Sequence, residues 1–296
     1  MRKIIHYPLI TLTGMLGFVV FLAFPKLFAF PTTGDQEHLV LNSGFILSSF
    51  LKTLKALTTP SDWTFIEGWM KDVVIERYIY SLQIMGISLL FTILIGCMIA
   101  CFIIFIPLKM RSPFKIALNF LEGLPDLFIL FLLQMGLLKL YKDYGIKIFS
   151  LYGIAETKPY VFPMIINSIL PSLFFAQYLL KVMEEEMEKH YILLGKAKGL
   201  SRVYIFQNYL LRNIFPVVMI HFKTIIFMVL TNLVLVEHMF VLDGYIHELY
   251  VILSFNSHNP LAIVFYVLML MIPIFVFELL LILSAKSIGK IRGLQL

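Results

Sequence analysis

Glu122 and Asp126 are the acidic pair whose spacing could do chemistry, because they lie four positions apart in an otherwise apolar stretch of this 296-residue chain. On one helix, that spacing would put both carboxylates on the same face. Ionisable groups inside a membrane are costly and often mark a substrate or proton path. Lys115 lies within two helical turns, so the pair could instead lie near the inner membrane surface, capping helices or lining an inner mouth. Both interpretations stay open at this point.

Motifs of hydrolytic and nucleotide chemistry are missing from the sequence. His247-Glu248 is not followed by a histidine at 251, so the metal-binding pattern H-E-x-x-H fails. Neither the phosphate loop G-x-x-x-x-G-K-[ST] nor a G-x-S-x-G nucleophile motif occurs. Four residues of one loop could bind a metal weakly, although scattered polar residues are the simpler interpretation: His238, Asp243, His247 and His258. We therefore predict no catalytic residue, no metal site and no cofactor on this chain.

The composition is that of a chain dissolved in lipid. Hydrophobic residues make up 60% of it and charged residues 14%, with a mean hydropathy of +0.90. An ordinary soluble domain is roughly half apolar and about a quarter charged. The net charge of +6 is dispersed between apolar runs, which favours membrane orientation over nucleic-acid binding. A lone soluble enzyme is excluded.

Apolar runs of about 20 residues predict an all-α membrane protein with six transmembrane helices. The predicted spans, in a single domain over 1–296, are about 4–28, 79–107, 116–138, 159–182, 214–237 and 258–284. Arg2 and Lys3 before the first span and the basic link 109–115 belong in the cytoplasm by the positive-inside rule, as does the C-terminus. An amphipathic helix over 38–58 then lies on the outer surface, within an outer loop at 30–77.

The loop at 183–213 is predicted to lie inside, and its dense charge sets it apart. Its first half is compatible with a helix, Gly199 is a stop signal, and Ser201 is a plausible N-cap for a second helix. Two short helices joined at a glycine would form a knob. Its apolar residues are too many for a solvated loop, so they either dock a partner or pack on the chain's own bundle.

The stretch from Tyr191 to Pro216 resembles the cytoplasmic EAA loop of ABC-transporter permeases, and most closely that of the dipeptide/oligopeptide (peptide/nickel) branch. Leu193-Leu194-Gly195 stands where the general motif has Glu-Ala-Ala. In that family the paired helices dock into the ATPase subunit, so the resemblance assigns ATPase coupling to the matching residues. These are Tyr191, Ala197, Lys198, Gly199, Leu200, Ser201, Arg212 and Asn213, with Pro216 closing the motif.

Two further segments resemble the same family. Leu124-Pro125-Asp126-Leu127-Phe128 is similar to its S-i-P-x-F segment, and residues 236–244 are similar to its outer v-E-x-x-F-x-x-P-G loop, with Asp243 in place of the proline. Within that loop we expect Glu237 to act as a gate or to fix the loop. The full set of pore or gate candidates is Glu122, Pro125, Asp126, Glu237 and Asp243.

The resemblance implies the type I ABC importer permease fold and a B-type, pore-forming subunit that is not itself an enzyme. Implied partners are a second homologous permease, two ATPase subunits that bind ATP and Mg²⁺, and an extracytoplasmic substrate-binding protein, all at a bacterial inner membrane. The loop at 184–213 would couple the ATPases to a pore for peptides or a related small solute. The alternative is an ion-coupled secondary transporter using Glu122 and Asp126, and a membrane-embedded hydrolase is a remote third.

Overall fold

The computed structural model of the chain describes residues 71–145, 158–255 and 265–277, together with isolated positions at Gly17, Phe28–Ala29, Val40–Leu41, Lys55 and Leu279. The sequence predicts a single domain, whereas the structure divides into two compact units. One comprises residues 1–76 with 248–271, and the other comprises residues 77–247 with 272–296. The predicted coupling loop at 183–213 and the loop at 236–244 both lie in the second unit.

The described part of the chain is helical, which confirms the predicted all-α class, apart from one two-residue strand pair. Phe28–Ala29 (β1) pairs antiparallel with Val40–Leu41 (β2). The helices are α1 Asp72–Phe105, α2 Leu108–Glu122, α3 Asp126–Tyr144, α4 Val161–Met187, α5 His190–Ala197, α6 Arg202–Ile205, α7 Leu211–Met239, α8 Tyr245–Phe255 and α9 Phe265–Phe277. A π-helical turn at Phe206–Leu210 joins α6 to α7.

Helix α1 buries three hydroxyl side chains and presents a stripe of large apolar side chains on its outside, the reverse of an amphipathic helix in a water-soluble protein. Ser81, Ser88 and Thr92 are at most 3% exposed, whereas Met98 is 71% exposed. Further exposed apolar side chains recur every three or four residues along the same helix: Ile87, Leu90, Leu94 and Phe102. An apolar outer face of this kind is stable against lipid tails, so the structure supports membrane embedding.

Polar side chains join α1, α4 and α7 in the interior. The hydroxyl of Ser88 donates to the carbonyl of Met164 at 3.1 Å. The amide of Asn232 donates to the carbonyl of Asn167 at 3.1 Å, and both asparagines are almost fully buried. Because lipid offers no hydrogen bonds, membrane helices use such interhelical contacts to associate. Helices α4 and α7 are the long helices on either side of the predicted coupling loop.

The predicted span at 116–138 is wrong as a single helix. The chain bends by 99° between α2 and α3, at Gly123, Leu124 and Pro125. Pro125 is the N-cap of α3; it has no N–H for a continuing helix, and its ring disfavours helical geometry at Leu124. Hydropathy alone does not register such a break, because both arms are apolar.

Other predicted spans agree in place and differ in length. The span at 79–107 corresponds to α1, which begins at Asp72 and therefore shortens the predicted outer loop. The spans at 159–182 and 214–237 correspond to α4 and α7. Within the described residues, three helices are long and apolar enough to cross a membrane, or four if α2 and α3 form one broken span.

The terminal predictions fall mostly outside the described residues. Of the first span, 4–28, the structure describes Gly17, which is helical, and Phe28, which lies in β1. Of the last span, 258–284, it describes α9 and Leu279. The surface helix predicted at 38–58 is wrong at Val40–Leu41, which form β2; Lys55 is helical, and the rest lies outside.

Candidate functional site

The knob, residues 188–210, forms because its local sequence stops one helix and starts the next. Helix α5 ends in a Schellman motif, in which the N–H of Leu200 donates to the carbonyl of Gly195 at 3.2 Å and that of Gly199 to Lys196 at 3.0 Å. Gly199 takes a φ of +74°, a region that glycine enters without steric cost. Ser201 then accepts a hydrogen bond from the N–H of Tyr204 at 3.2 Å. Both the predicted stop and the predicted N-cap are confirmed.

Glu186 ties the knob to the helices on either side of it. This carboxylate is buried near the end of α4, accepts a hydrogen bond from the phenol of Tyr191, and pairs with Lys189 at 2.5 Å. The side chain of Asn213 in α7 also hydrogen-bonds to Tyr191. Burial raises the pKa of the Tyr191 phenol to about 12, and the neighbouring carboxylate adds to the shift. The phenol therefore stays neutral near pH 7 and can donate and accept at once, linking α4, α5 and α7.

The outer face of the knob is apolar and exposed. Ile192 and Ile205 are buried between its two helices. Large apolar side chains that point outward, between 47% and 57% exposed, are Leu193, Leu194, Val203 and Tyr204. Ala197 lies on this exposed surface as well. The described chain does not cover the patch, which is typical of a surface that binds a partner.

The predicted coupling residues are only partly brought together. Tyr191 and Asn213 are in contact. Ala197, Lys198, Gly199, Leu200 and Ser201 follow one another through the turn between α5 and α6. Arg212 lies in the first turn of α7, beyond the π-helical turn. Single π-helical turns are frequent at functional positions.

At the other end of α7, Glu237 lies at the centre of a buried hydrogen-bond cluster. Its Oε1 accepts from the hydroxyl of Ser81 at 2.5 Å, and its Oε2 accepts from the N–H of Ile246 at 3.0 Å. The Ser81 hydroxyl in turn accepts from the N–H of Tyr245 at 2.8 Å. The backbone carbonyl of Glu237 accepts from Leu242 at 2.9 Å. These bonds hold the turn between α7 and α8 against α1, as a loop-fixing residue would; the gate role stays a prediction.

Asp243 and Gly244 complete the Glu237 cluster. Asp243 forms an ion pair with Arg77 of α1 at 2.6 Å. A Cβ added to Gly244 would overlap the carboxylate of Glu237, so a larger residue there would displace that hydrogen-bonded group. Val241, three residues before Gly244, has a φ of +49°, which is an uncommon conformation for a β-branched residue. The turn is thus held in a strained backbone geometry by its side-chain contacts.

Glu122 and Asp126 do not share a helix face, which corrects the geometry expected of them. Glu122 ends α2 and Asp126 begins α3, on opposite sides of the bend at Pro125. Both carboxylates are exposed. A paired ion-coupling site therefore lacks its expected geometry. Among the described residues no group of three or more His, Cys, Asp or Glu side chains could hold a metal ion.

Three residues that position the knob were missed from the sequence. Glu186 is one of three consecutive glutamates, and only burial distinguishes it from Glu184 and Glu185. Lys115 of α2 pairs with Glu184 at 2.5 Å. Arg111 donates to the carbonyls of Ile104 and Ile106 at the end of α1. The basic link 109–115 signals positive charge at this place, but not its partners.

Comparison with known proteins gives a family match and structural similarities. The family model described as "Binding-protein-dependent transport system inner membrane component" matches residues 92–290. A solved structure titled "Crystal structure of an amino acid ABC transporter with histidines" aligns at a TM-score of 0.49 and 12% identity, covering 73% of this chain and 94% of that chain. No curated protein matches the chain. Because the family model spans most of the sequence, the chain belongs to the binding-protein-dependent inner membrane components, the membrane-embedded permease subunits of ABC importers.

Proposed function

We propose that this chain forms half of the pore of an ATP-driven importer for peptides or a related small solute, and that ATPase subunits bind it at the knob. Its partners would be a second homologous permease, two ATPases and an extracytoplasmic binding protein. The observation that carries the proposal is the exposed apolar face of the knob, since it joins the two long helices α4 and α7. Movement of a partner bound there would act directly on both.

The contacts of Tyr191 suggest how the force would travel. This side chain bonds to Glu186 at the end of α4 and to Asn213 at the start of α7. Closure of the ATPases against Leu194 and its apolar neighbours would displace α5, and these bonds would pass the displacement to both helices. At the far end of α7 lies the buried Glu237 cluster, so the outer turn would follow the same motion. Access to the pore would change from one side to the other.

Peptides are the proposed substrate class because the resemblance of residues 191–216 is to the peptide/nickel branch of permeases. The binding protein would select the solute first. The pore candidates on this chain are Glu122, Pro125, Asp126, Glu237 and Asp243. The sequence departs from that branch at Asp243, and its ion pair with Arg77 takes the place of a proline-stiffened turn.

The test compares two glycines that both have a positive φ just after a helix. Gly199 in the knob and Gly145 at the end of α3 have φ values of +74° and +65°, and each donates its N–H to the preceding helix. Proline, with φ fixed near −65°, fits neither position and removes that N–H. In proteoliposomes containing the assembled transporter, we expect Gly199→Pro to reduce the dipeptide uptake per ATP hydrolysed at least about tenfold. The substitution would distort the turn that sets α5 against α6, and a distortion of about 1.4 kcal/mol is enough for a tenfold effect.

Gly145→Pro is the matched control and should keep the ratio of uptake to ATP hydrolysis, whatever it does to stability. Ala197→Glu adds a charge to the exposed face without altering the turn, and should weaken co-purification of the ATPases. Equal coupling in Gly199→Pro and Gly145→Pro would refute the role of the knob. Uptake of an amino acid or Ni²⁺ in preference to a dipeptide would overturn the substrate class alone.

A further inference from the structure

A cavity of about 770 Å³ lies between the knob and the adjoining ends of α1, α2 and α4. Its walls come from the end of α1, the start of α2, the end of α4, and the knob itself. Pockets of about 300 to 1,000 Å³ are the usual size for ligand sites. Of the residues assigned to ATPase coupling only Leu200 lines this cavity, so the proposed function gives the other lining residues no role.

The walls of the cavity are mainly apolar. Phe105 and Leu108, at the junction of α1 and α2, line the cavity and are 43% and 77% exposed. The ring of Phe105 packs against that of Phe206 on the opposite wall, with 5.0 Å between centroids. An apolar chain lying along α1 could therefore enter the cavity at this junction.

Positive charge predominates at the rim. The lining has four cationic side chains and two carboxylates. Lys115 is paired with Glu184, and Arg111 donates to two backbone carbonyls. Lys196 and Arg202, by contrast, are exposed and make no ion pair with any residue that the structure describes. These two side chains are available to bind an anion from outside the chain.

The location of the cavity indicates which class of anion would bind there. It begins where α1 ends, and α1 is an apolar helix of spanning length, so this is the level of lipid headgroups. An anionic leaflet attracts cationic side chains by about 1 kcal/mol each. An acyl chain would meet Phe105 and Leu108, while the phosphate would meet Lys196 and Arg202. One amphiphile would therefore fill both the apolar part and the cationic part of the cavity.

We infer that this cavity binds an anionic phospholipid of the inner leaflet, with the phosphate between Lys196 and Arg202 and an acyl chain against Phe105 and Leu108. The inference rests on the proposed function only for its orientation, which puts the knob on the cytoplasmic side. The lipid would join the knob to the bilayer surface, so the anionic lipid content of the membrane would set how firmly α5 and α6 are held.

Native mass spectrometry of the full-length chain in detergent tests the site directly, with phosphatidylglycerol and phosphatidylcholine of identical acyl chains as probes. We expect phosphatidylglycerol to bind in preference. Lys196→Ala and Arg202→Ala should each weaken its binding about fivefold. Lys109→Ala removes an exposed charge of α2 that does not line the cavity and should leave binding unchanged. The exchange Lys196→Arg with Arg202→Lys keeps both charges and should retain binding, which separates loss of charge from misfolding.

Three results would overturn the inference: equal binding of the two lipids, phosphatidylglycerol binding that survives Lys196→Ala with Arg202→Ala, or displacement of the lipid by soluble glycerol phosphate at equal concentration. Loss of lipid from the cavity when ATPase subunits bind would also overturn it, since a protein segment would then be the occupant. The measurement needs no ATPase, so selective lipid binding together with normal coupling in Gly199→Pro would refute the proposed function and leave this site standing.

Discussion

Glu237 has hydrogen-bond partners on both carboxylate oxygens, and the two donors come from different parts of the chain. Ser81 belongs to α1, and Ile246 belongs to α8. Both interactions require an acceptor, which a carboxylate supplies at each oxygen. Leaving a buried donor without its acceptor costs about 1 to 3 kcal/mol. The residue therefore stabilises the outer turn through its acceptor atoms, independently of any part in gating.

Glu237→Gln should lower the free energy of unfolding by about 1 to 3 kcal/mol, because the amide of glutamine would face one of the two donors. Thermal unfolding of the purified chain in detergent measures the loss. Glu185→Gln changes an exposed carboxylate of α4 in the same way and should stay within about 0.5 kcal/mol of the original chain. An equal, negligible effect of both substitutions would contradict the assigned role of Glu237.

At the scale of elements, α1 and α4 approach closely at Gly96, because this residue of α1 has no side chain. A Cβ added to Gly96 would lie 2.6 Å from Cδ1 of Phe175 and 3.1 Å from the carbonyl oxygen of Ser172. Small residues at such positions let membrane helices pack on dispersion forces and interhelical hydrogen bonds. Gly86, on the same helix, has open space where a Cβ would stand. Replacing each of the two glycines with alanine therefore separates the effect of packing from that of helix propensity.

We expect Gly96→Ala to destabilise the chain by about 1 to 3 kcal/mol through overpacking. Gly86→Ala should be neutral, or stabilising by up to about 1 kcal/mol, because alanine favours the helix. The unfolding midpoints of the two variants, measured under identical detergent conditions, provide the comparison. A midpoint for Gly96→Ala at or above that for Gly86→Ala would show that α1 can move away from Phe175 at no cost.

For the whole molecule, membrane orientation depends on where the few charges lie. The basic link 109–115 and the knob are proposed to face the cytoplasm, while the turn at 240–244 faces outward. Glu188 and Val241 are exposed positions at the two ends of the α4 and α7 helices. They can report the side on which each end emerges, once the two natural cysteines, Cys97 and Cys101, are replaced.

With Cys97→Ser and Cys101→Ser as background, a membrane-impermeant maleimide should label Val241→Cys in intact cells and leave Glu188→Cys unlabelled. Both should react after the cells are permeabilised, which controls for buried thiols. The opposite pattern would reverse the orientation and with it the proposed side of ATPase binding. Labelling of both positions in intact cells would mean that α4 and α7 do not cross the membrane as proposed.

The sequence by itself determined the features that depend on neighbouring residues. Hydropathy gave the apolar segments that become α1, α4 and α7, since the transfer of side chains to lipid needs no knowledge of the fold. Gly199 and Ser201 gave the stop and the N-cap of the knob, because both signals act on backbone groups within one or two turns. Only the tertiary structure decided the partners of Glu237, since Ser81 lies 156 positions away in the chain. The bend at Pro125 placed Glu122 and Asp126 on different helices. The proline is a local signal for a break, but only the structure gives the 99° angle between α2 and α3, because proline restricts the backbone without setting the direction of the next helix.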